Sequence, residues 1–386
     1  MKHESADIVA LGGGMASLSL VTALLLRGYR GKIIILEQLV APNVDKTWCF
    51  WGKGSVPRYL QPLIRQQWSR WSVSHNGREV TQSSINERND YCCIQAEDFY
   101  RFALSLVEQA DNIVFIGDQS IIDAQEQAGR VKVRSHDYDI VAQHCLDTRY
   151  QSDSSEQGLY QCFAGLWLEA DQALFDPSKV ELMHNLECHD GVLQFDYVLP
   201  LSSHQALFER TFFSPQPLLV EDLRRDTEQA IASRYGNIDV NIQRSEQGIL
   251  PMIASVSPVD TDCWHYAGMA GGHMRSATGY AFVSVQRWAQ VVAVAMMNNK
   301  PWPNYQPIKN RYRWMDKIFL RVLAEQMDIA PALFLRLLEK TDSDQFTRFM
   351  TERASYRDLL AIIKAMPKRP FLNALFFKKK SKVIKC

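Results

Sequence analysis

The sequence predicts an α/β protein with an amino-terminal βαβ unit, a β-rich second lobe and a helical carboxy-terminal region. Three observations predict it. An apolar run over residues 6–11 leads into Gly12-Gly13-Gly14 and then into helical apolar spacing. Strand-like alternation follows in the middle of the chain, and helical periodicity takes over after Pro301. A chain of 386 residues supports two lobes, or one lobe with an insertion, without disulfide or metal staples.

The first element is a strand over residues 6–11, and the second a helix over 15–27 with Leu18, Val21, Ala23 and Leu25 on its apolar side. Gly12 permits the tight turn between them, and Gly14 lets backbone approach a pyrophosphate resting on the free N–H groups of the helix. Ser17 stands where a third glycine is usual, and is small enough for close helix packing. A second strand, 32–36, ends in Glu37, 25 residues beyond Gly12, where an acid receives ribose hydroxyls. Together these features predict a Rossmann-like dinucleotide-binding domain. They do not by themselves separate FAD from NAD.

Next comes an aromatic segment, with Trp48, Trp51, Trp68 and Trp71 inside 24 residues. Each suits a core, and together they suit a surface for a flat apolar ligand or a cation. Residues 96–109 read as an amphipathic helix, with short strands at 113–116, 131–133 and 140–141. A polar loop over 151–157 marks a lobe boundary. Strands follow at 193–201 and 206–213. In the latter, Leu207, Glu209, Thr211 and Phe213 share one face, opposite Phe208, Arg210 and Phe212. Glu209 is then either a carboxyl made more basic by apolar neighbours, as a proton donor requires, or an exposed edge-strand acid.

A second glycine-rich loop contains Gly268, Gly271, Gly272 and Gly279 and opens a helix over 278–298. Such a turn suits the ribityl and phosphate part of a flavin. Within it His273 and Arg275 are candidates for catalysis and equally for solvated loop positions. Helices follow at 312–326, 330–339, 343–351 and 355–365, and the prolines at 367 and 370 break the pattern. The end of the chain interleaves Phe371, Leu372, Leu375, Phe376 and Phe377 with five lysines, which predicts peripheral contact with an anionic membrane surface.

Composition narrows the classes. Lys plus Arg and Asp plus Glu are 43 each, which argues against a nucleic-acid binder held by phosphate attraction. The basic excess lies in residues 301–386, with 18 basic and 8 acidic side chains. Eight scattered cysteines without ligand spacing predict neither structural zinc nor a disulfide scaffold, so no metal is expected and a reducing cytoplasm fits. The run over 8–26 is interrupted by three glycines and follows Asp7, so it reads as strand, turn and helix rather than as a signal or a span.

Taken in order, these segments resemble the lycopene cyclase family. The turn LGGGMAS, the aromatic DKTWCFW and the strand end LDTR are similar to family motifs, as are Gln161, Gly165, Phe175 and Asp176. The run FDYVLPLSSHQALFERTFFS is the strongest match, and EQGILPM and AGMAGGHMRSATGYAF complete the set. The resemblance implies a glutathione-reductase-type flavoprotein fold that holds FAD, kept reduced by NAD(P)H. It implies a redox-neutral, proton-initiated closure of a β-ionone-type ring on a linear polyene, with Glu209 as the essential acid or base and the reduced flavin stabilising or protonating the cation. Trp48, Trp51, Phe208 and His184 are the expected substrate contacts.

One departure bears on the substrate. The family has Met-Asp where this chain has Met183-His184, followed by Asn185, so a polyene other than lycopene is open. The expected organisation assigns 1–45, 90–155 and 245–299 to FAD, 46–89 and 156–244 to substrate, and 300–386 to a helical region with a basic membrane-facing tail at the cytoplasmic face. The runner-up activity is an FAD-dependent monooxygenase or oxidoreductase acting on a hydrophobic substrate.

Overall fold

A computed structural model describes residues 1–150, 158–236, 240–253 and 258–376. The expected lobe boundary at 151–157 and the lysine-rich end from Phe377 lie outside the described residues.

The chain opens with β1 (Lys2–Leu11), α1 (Met15–Leu25) and β2 (Ile33–Leu36), then β3 (Thr47–Trp51), β4 (Gln66–Trp68), β5 (Arg70–His75), β6 (Arg78–Ser83) and β7 (Tyr91–Gln95). It continues through α2 (Ala96–Glu108), β8 (Ile113–Ile116), β9 (Ile121–Gln127), β10 (Arg130–Ser135) and β11 (Tyr138–Asp147). Long strands follow: β12 (Leu159–Ala170), β13 (Lys179–His189), β14 (Val192–Pro200) and β15 (Gln205–Ser214), with α3 (Val220–Tyr235) before β16 (Val240–Met252) and β17 (Trp264–Tyr266). The rest is helical: α4 (Phe282–Met297), α5 (Asn310–Glu325), α6 (Ala330–Lys340), α7 (Ser343–Met350), α8 (Tyr356–Ala365) and α9 (Lys368–Phe376).

The first sheet runs β8-β2-β1-β11-β10-β9, with β17 also paired to β11. Its first four strands and β17 are parallel, as crossover helices require, and β9 and β10 form an antiparallel extension. The second half of β1, Ile8 to Leu11, and all of β2 read as continuous apolar runs because both faces are covered there. Helix α1 shows little amphipathicity for the same reason. It packs against α2 and α4 and buries residues 16–24.

The second sheet runs β16-β12-β15-β14-β13-β5-β6. One face packs on α3, where Leu223, Thr227, Ala230 and Ile231 are buried, and the other lines a cavity. Strands β3, β7 and β4 form a small third sheet. Residues 46–89 therefore divide between two sheets, and β16 is continuous within the second sheet from Val240 to Met252, across the boundary expected at 245. Helices α5 to α9 close the far end of the cavity. The break expected at the two prolines falls at Met366–Pro367, between α8 and α9; Pro370 itself sits in the first turn of α9, where its missing N–H has no intrahelical partner to lose. No helix among the described residues is long and apolar enough to cross a membrane.

Candidate active site

The nucleotide turn is built as a cradle. Gly12 has φ +101°, and a Cβ there would meet Thr148 Oγ1 at 2.6 Å, so only glycine fits. Gly14 has ordinary backbone angles, φ −74° and ψ −173°, and a Cβ there would meet nothing within 4 Å. The open space is therefore on the ligand side. No side chain caps α1 and no acid occupies its first turn, which leaves N–H groups and the positive helix end available to an anion.

Neighbouring side chains hold the turn. Glu37 directly follows β2 and accepts from the Gly13 N–H at 2.6 Å and the Leu39 N–H at 3.0 Å. Ser17 is fully buried and donates to the Gly12 carbonyl at 2.6 Å, so it locks the turn from behind. Thr148, after β11, donates to the Leu11 carbonyl at 3.0 Å. Gly268, at φ +65°, packs so closely on α1 that a Cβ would lie 3.2 Å from that of Ala16. The two glycine loops thus meet at one place. This donor set fits a dinucleotide of the FAD class: an uncapped helix start, space over Gly14, and an acid beside the turn.

A cavity of about 780 Å³ begins at Gly14, Met15, Thr148 and Gly268 and extends over the second sheet to helices α5 to α9. Period-two alternation selects its floor: Gln161 and Phe163 from β12, Phe195 and Tyr197 from β14, Glu209, Thr211 and Phe213 from β15, and Glu246, Gly248 and Leu250 from β16. Trp48 and Trp51 line one wall, Gly279 and Tyr280 another. Trp48 stacks on Phe282, with centroids 5.1 Å apart and ring planes 18° apart. Tyr91 sits behind this surface, its hydroxyl 2.8 Å from those of Tyr197 and Tyr280.

Glu209 lies in that floor and is only 7 % exposed. Burial, with Glu246 nearby, pushes its carboxyl up to about 8, against weaker opposing effects of the Thr211 hydroxyl at 2.7 Å and of Lys46. Glu246 is buried too and pushed up to about 7 by desolvation, offset by the Thr47 hydroxyl at 2.7 Å, Arg244, the Trp167 indole and Lys46. The two acids flank Gly165: it pairs with Glu209 on one side and with Glu246 on the other. At neutral pH the arrangement can hold a proton in a water-poor, aromatic-lined space and release it to a weakly basic ligand.

The other expected positions fall differently. Phe208 points to the opposite face of β15 and packs under α3 against Tyr235, so it does not line the cavity. This follows from the same alternation that brings Glu209 in. His184 also faces away: β13 changes register between Glu181 and Glu187, and the ring lies 3.1 Å from Ser74 Oγ, near the Glu181–Arg234 ion pair. Leu182 and Met183 take the cavity side, and Asn185 is exposed, so the His184-Asn185 departure does not alter the charge of the cavity floor. Trp68 and Trp71 are core, their indoles donating to the Pro200 carbonyl and to Gln82.

Gly271 allows close backbone approach, since a Cβ would lie 2.5 Å from the Tyr266 carbonyl oxygen, and Gly272 borders a smaller pocket. His273 and Arg275 are buried rather than solvated. Burial, reinforced by Arg313, pushes the His273 imidazole down to about 3, and its Nδ1 accepts from the Gly268 N–H at 3.3 Å. Arg275 is 1 % exposed and bidentate to Asp316 at 2.6 and 2.8 Å, with Glu352 at 3.4 Å. Both are structural ties of the loop. Sequence reasoning passed over Glu246, Thr47 and the tyrosine trio. The alternation Arg244, Glu246, Gly248, Leu250 is the sequence signal for Glu246, and it is obscured by the irregularity in β16 between Ile242 and Arg244.

Comparison with known proteins agrees with this architecture. The chain is similar to lycopene beta-cyclase of Pantoea ananas, 23% identical over 96% of this chain and 97% of that one. It is also similar to lycopene beta-cyclase of Pseudescherichia vulneris, 24% identical over 84% and 83%. Among solved structures it resembles a geranylgeranyl bacteriochlorophyll reductase-like protein from Thermoplasma acidophilum, with TM-score 0.61, 13% identity and coverage of 94% and 96%. A halogenase in complex with FAD gives TM-score 0.58 at 12% identity over 93% and 90%, and p-nitrophenol 4-monooxygenase from Pseudomonas putida 0.58 at 10% over 94% and 97%. The fold is thus the two-lobed α/β fold of FAD-binding oxidoreductases. The family model described as lycopene cyclase protein matches residues 7–376, and the chain belongs to that family.

Proposed function

We propose that the protein is a flavin-dependent cyclase that closes a β-ionone-type ring at the end of a linear carotenoid or related polyene, without net redox change. The observation that carries this reading is a carboxyl, Glu209, made a weak acid by burial in an apolar cavity continuous with the nucleotide turn. Glu209 donates its proton to the terminal double bond, and the internal double bond attacks the resulting cation. Positioned general acids contribute roughly 10²–10⁴-fold. Thr211 fixes the carboxyl, while the faces of Trp48 and Trp51 receive the polyene and favour the cation by about 0.5–2 kcal/mol per contact. Exclusion of water protects the cation from capture.

The glutathione-reductase-type form of the fold belongs to the same proposal. Gly14, the start of α1 and the 268–279 loop would hold FAD with Glu37 beside its ribose, and when reduced by NAD(P)H that group supplies an electron-rich ring near the cation. The 1–45, 90–155 and 245–299 segments would serve FAD, except that β16 contributes to the substrate floor. At the far end the cavity is rimmed by Trp314, Ile363, Leu372 and Leu375, all exposed, with Lys364, Lys368 and Arg369 close by in sequence. An apolar mouth beside basic residues supports peripheral docking on an anionic leaflet, from which a polyene enters without crossing water.

Expression in a lycopene-accumulating host tests the reading: a cyclised product of unchanged mass is expected, and its loss with Glu209→Gln while flavin is retained. The likeness to a monooxygenase and a halogenase favours a second reading, oxidation of a hydrophobic substrate by the same fold. That reading requires a mass change or stoichiometric consumption of NAD(P)H.

A further inference from the structure

The reaction above gives the cavity a proton donor but assigns no residue to the proton that the new ring must lose. We propose that Glu246 is the second acid–base residue of this cavity, taking the proton shed by the ring and returning it to Glu209 across the space over Gly165. The inference rests on the cyclase reading.

The geometry is specific. Gly165 on β12 pairs with Glu209 of β15 on one side and Glu246 of β16 on the other, so both carboxyls rise from one line across the sheet. A Cβ on Gly165 would lie 3.0 Å from Glu246 Cγ and 3.5 Å from Glu209 Cβ. The two acids lean over the same missing methyl group. Their surroundings differ in sign. Glu246 receives hydrogen bonds from Thr47 at 2.7 Å and Trp167 at 3.5 Å, both on Oε2, and has Arg244 and Lys46 near it. Glu209 has Thr211 and the influence of Lys46. Donors and cations favour the ionised form, so a single proton shared by the pair resides on Glu209 and the charge on Glu246. Cys49 and Cys93 also face Glu246, and burial keeps both thiols neutral.

The step balances. Glu209 gives its proton to one carbon of the terminal double bond, whose electron pair forms the new C–H bond. The pair of the internal double bond closes the ring and moves the cation inward. A C–H bond beside it breaks, its pair becomes the ring double bond, and the proton joins the Glu246 carboxylate. Transfer to Glu209 restores the start.

The test uses the flavin-loaded, chemically reduced protein with lycopene. Glu246→Gln keeps an acceptor for Thr47 and removes the base. Flavin absorbance should be unchanged, turnover should fall about 100-fold or more, and residual product should carry its double bond elsewhere in the ring or appear as an alcohol. Glu246→Asp should restore part of the rate with the normal ring. Thr47→Val, which removes a donor to the carboxylate, should move the low-pH limb of turnover to higher pH. Glu246→Gln with wild-type rate and ring overturns the inference and leaves the cyclase reading standing. Should that variant lose flavin or fail to fold, an unmoved limb in Thr47→Val overturns it instead. If the wild type itself forms no ring while binding flavin, the cyclase reading falls and takes the inference with it.

Discussion

Glu209→Gln should separate the two costs that the cavity imposes, one on stability and one on chemistry. Burial pushes the carboxyl from its usual 4.5 up to about 8. At pH 7 a group of that acidity is roughly 90 % neutral, against well under 1 % for an ordinary glutamate, so the fold raises the donor population by a few hundredfold. The sign for stability follows from proton uptake. Because the folded-state value is raised, the native protein holds a proton that the unfolded chain releases, and stability is lost as pH rises from about 4.5 through about 8. One pH unit corresponds to about 1.4 kcal/mol, so ionised Glu209 at pH 9 costs on the order of 3–5 kcal/mol. Glutamine cannot ionise and escapes that cost, while its amide is imperfectly satisfied in the site at a cost of about 1–3 kcal/mol. The variant should therefore melt below wild type at pH 5 and level with or above it at pH 9, while producing no cyclised polyene at either. Circular-dichroism melts at the two pH values and product analysis decide the matter. A melting difference independent of pH, or an active variant, would refute the argument from burial.

Three further outcomes follow from the geometry. Gly14→Ala should leave the melting temperature of the flavin-free protein within about a degree, since its backbone angles suit alanine and its Cβ meets no atom within 4 Å, yet weaken FAD binding tenfold or more by filling the approach; fluorescence titration measures this. Arg275→Ala strands Asp316 in the interior and should cost about 3–5 kcal/mol in urea unfolding, with Lys recovering only part because it lacks the bidentate fork. Leu375→Asp at the exposed cavity mouth should reduce sedimentation with anionic vesicles and raise the apparent KM for vesicle-borne polyene, with kcat unchanged.

What could be read from the sequence was whatever depends on local pattern. The Gly12 turn, α1, β2 and Glu37 follow from glycine placement and apolar spacing, and the inward face of β15 follows from a period of two. The remainder depended on pairing between distant segments. β12 lacks alternation because α3 covers one of its faces and the cavity lies on the other, and β16 was cut by an expected boundary although it forms an edge of the same sheet. Phe208 and Glu209 are neighbours in β15 and adjacent strand residues point apart, so only one of the two can face the cavity, and it is Glu209. His184 misled because β13 slips its register near that point, which no single-strand pattern reveals. Trp68 and Trp71 carried the same aromatic signal as Trp48 and Trp51, but only the third dimension separates filling a core from lining a void.

The guanidinium of Arg275 sits between the rings of Tyr312 and Phe349 while two carboxylates, Asp316 of α5 and Glu352 just beyond α7, neutralise it. Carried on the glycine-rich loop and enclosed by the carboxy-terminal helices, it works as a rivet joining them. Truncation near residue 300 would remove both acids and both rings at once and lay the arginine and its loop open to solvent, so the helices that close the polyene end cannot be shed or transplanted as a module. A chimera that borrows them must bring the arginine, its aromatic clamp and both acids in one piece.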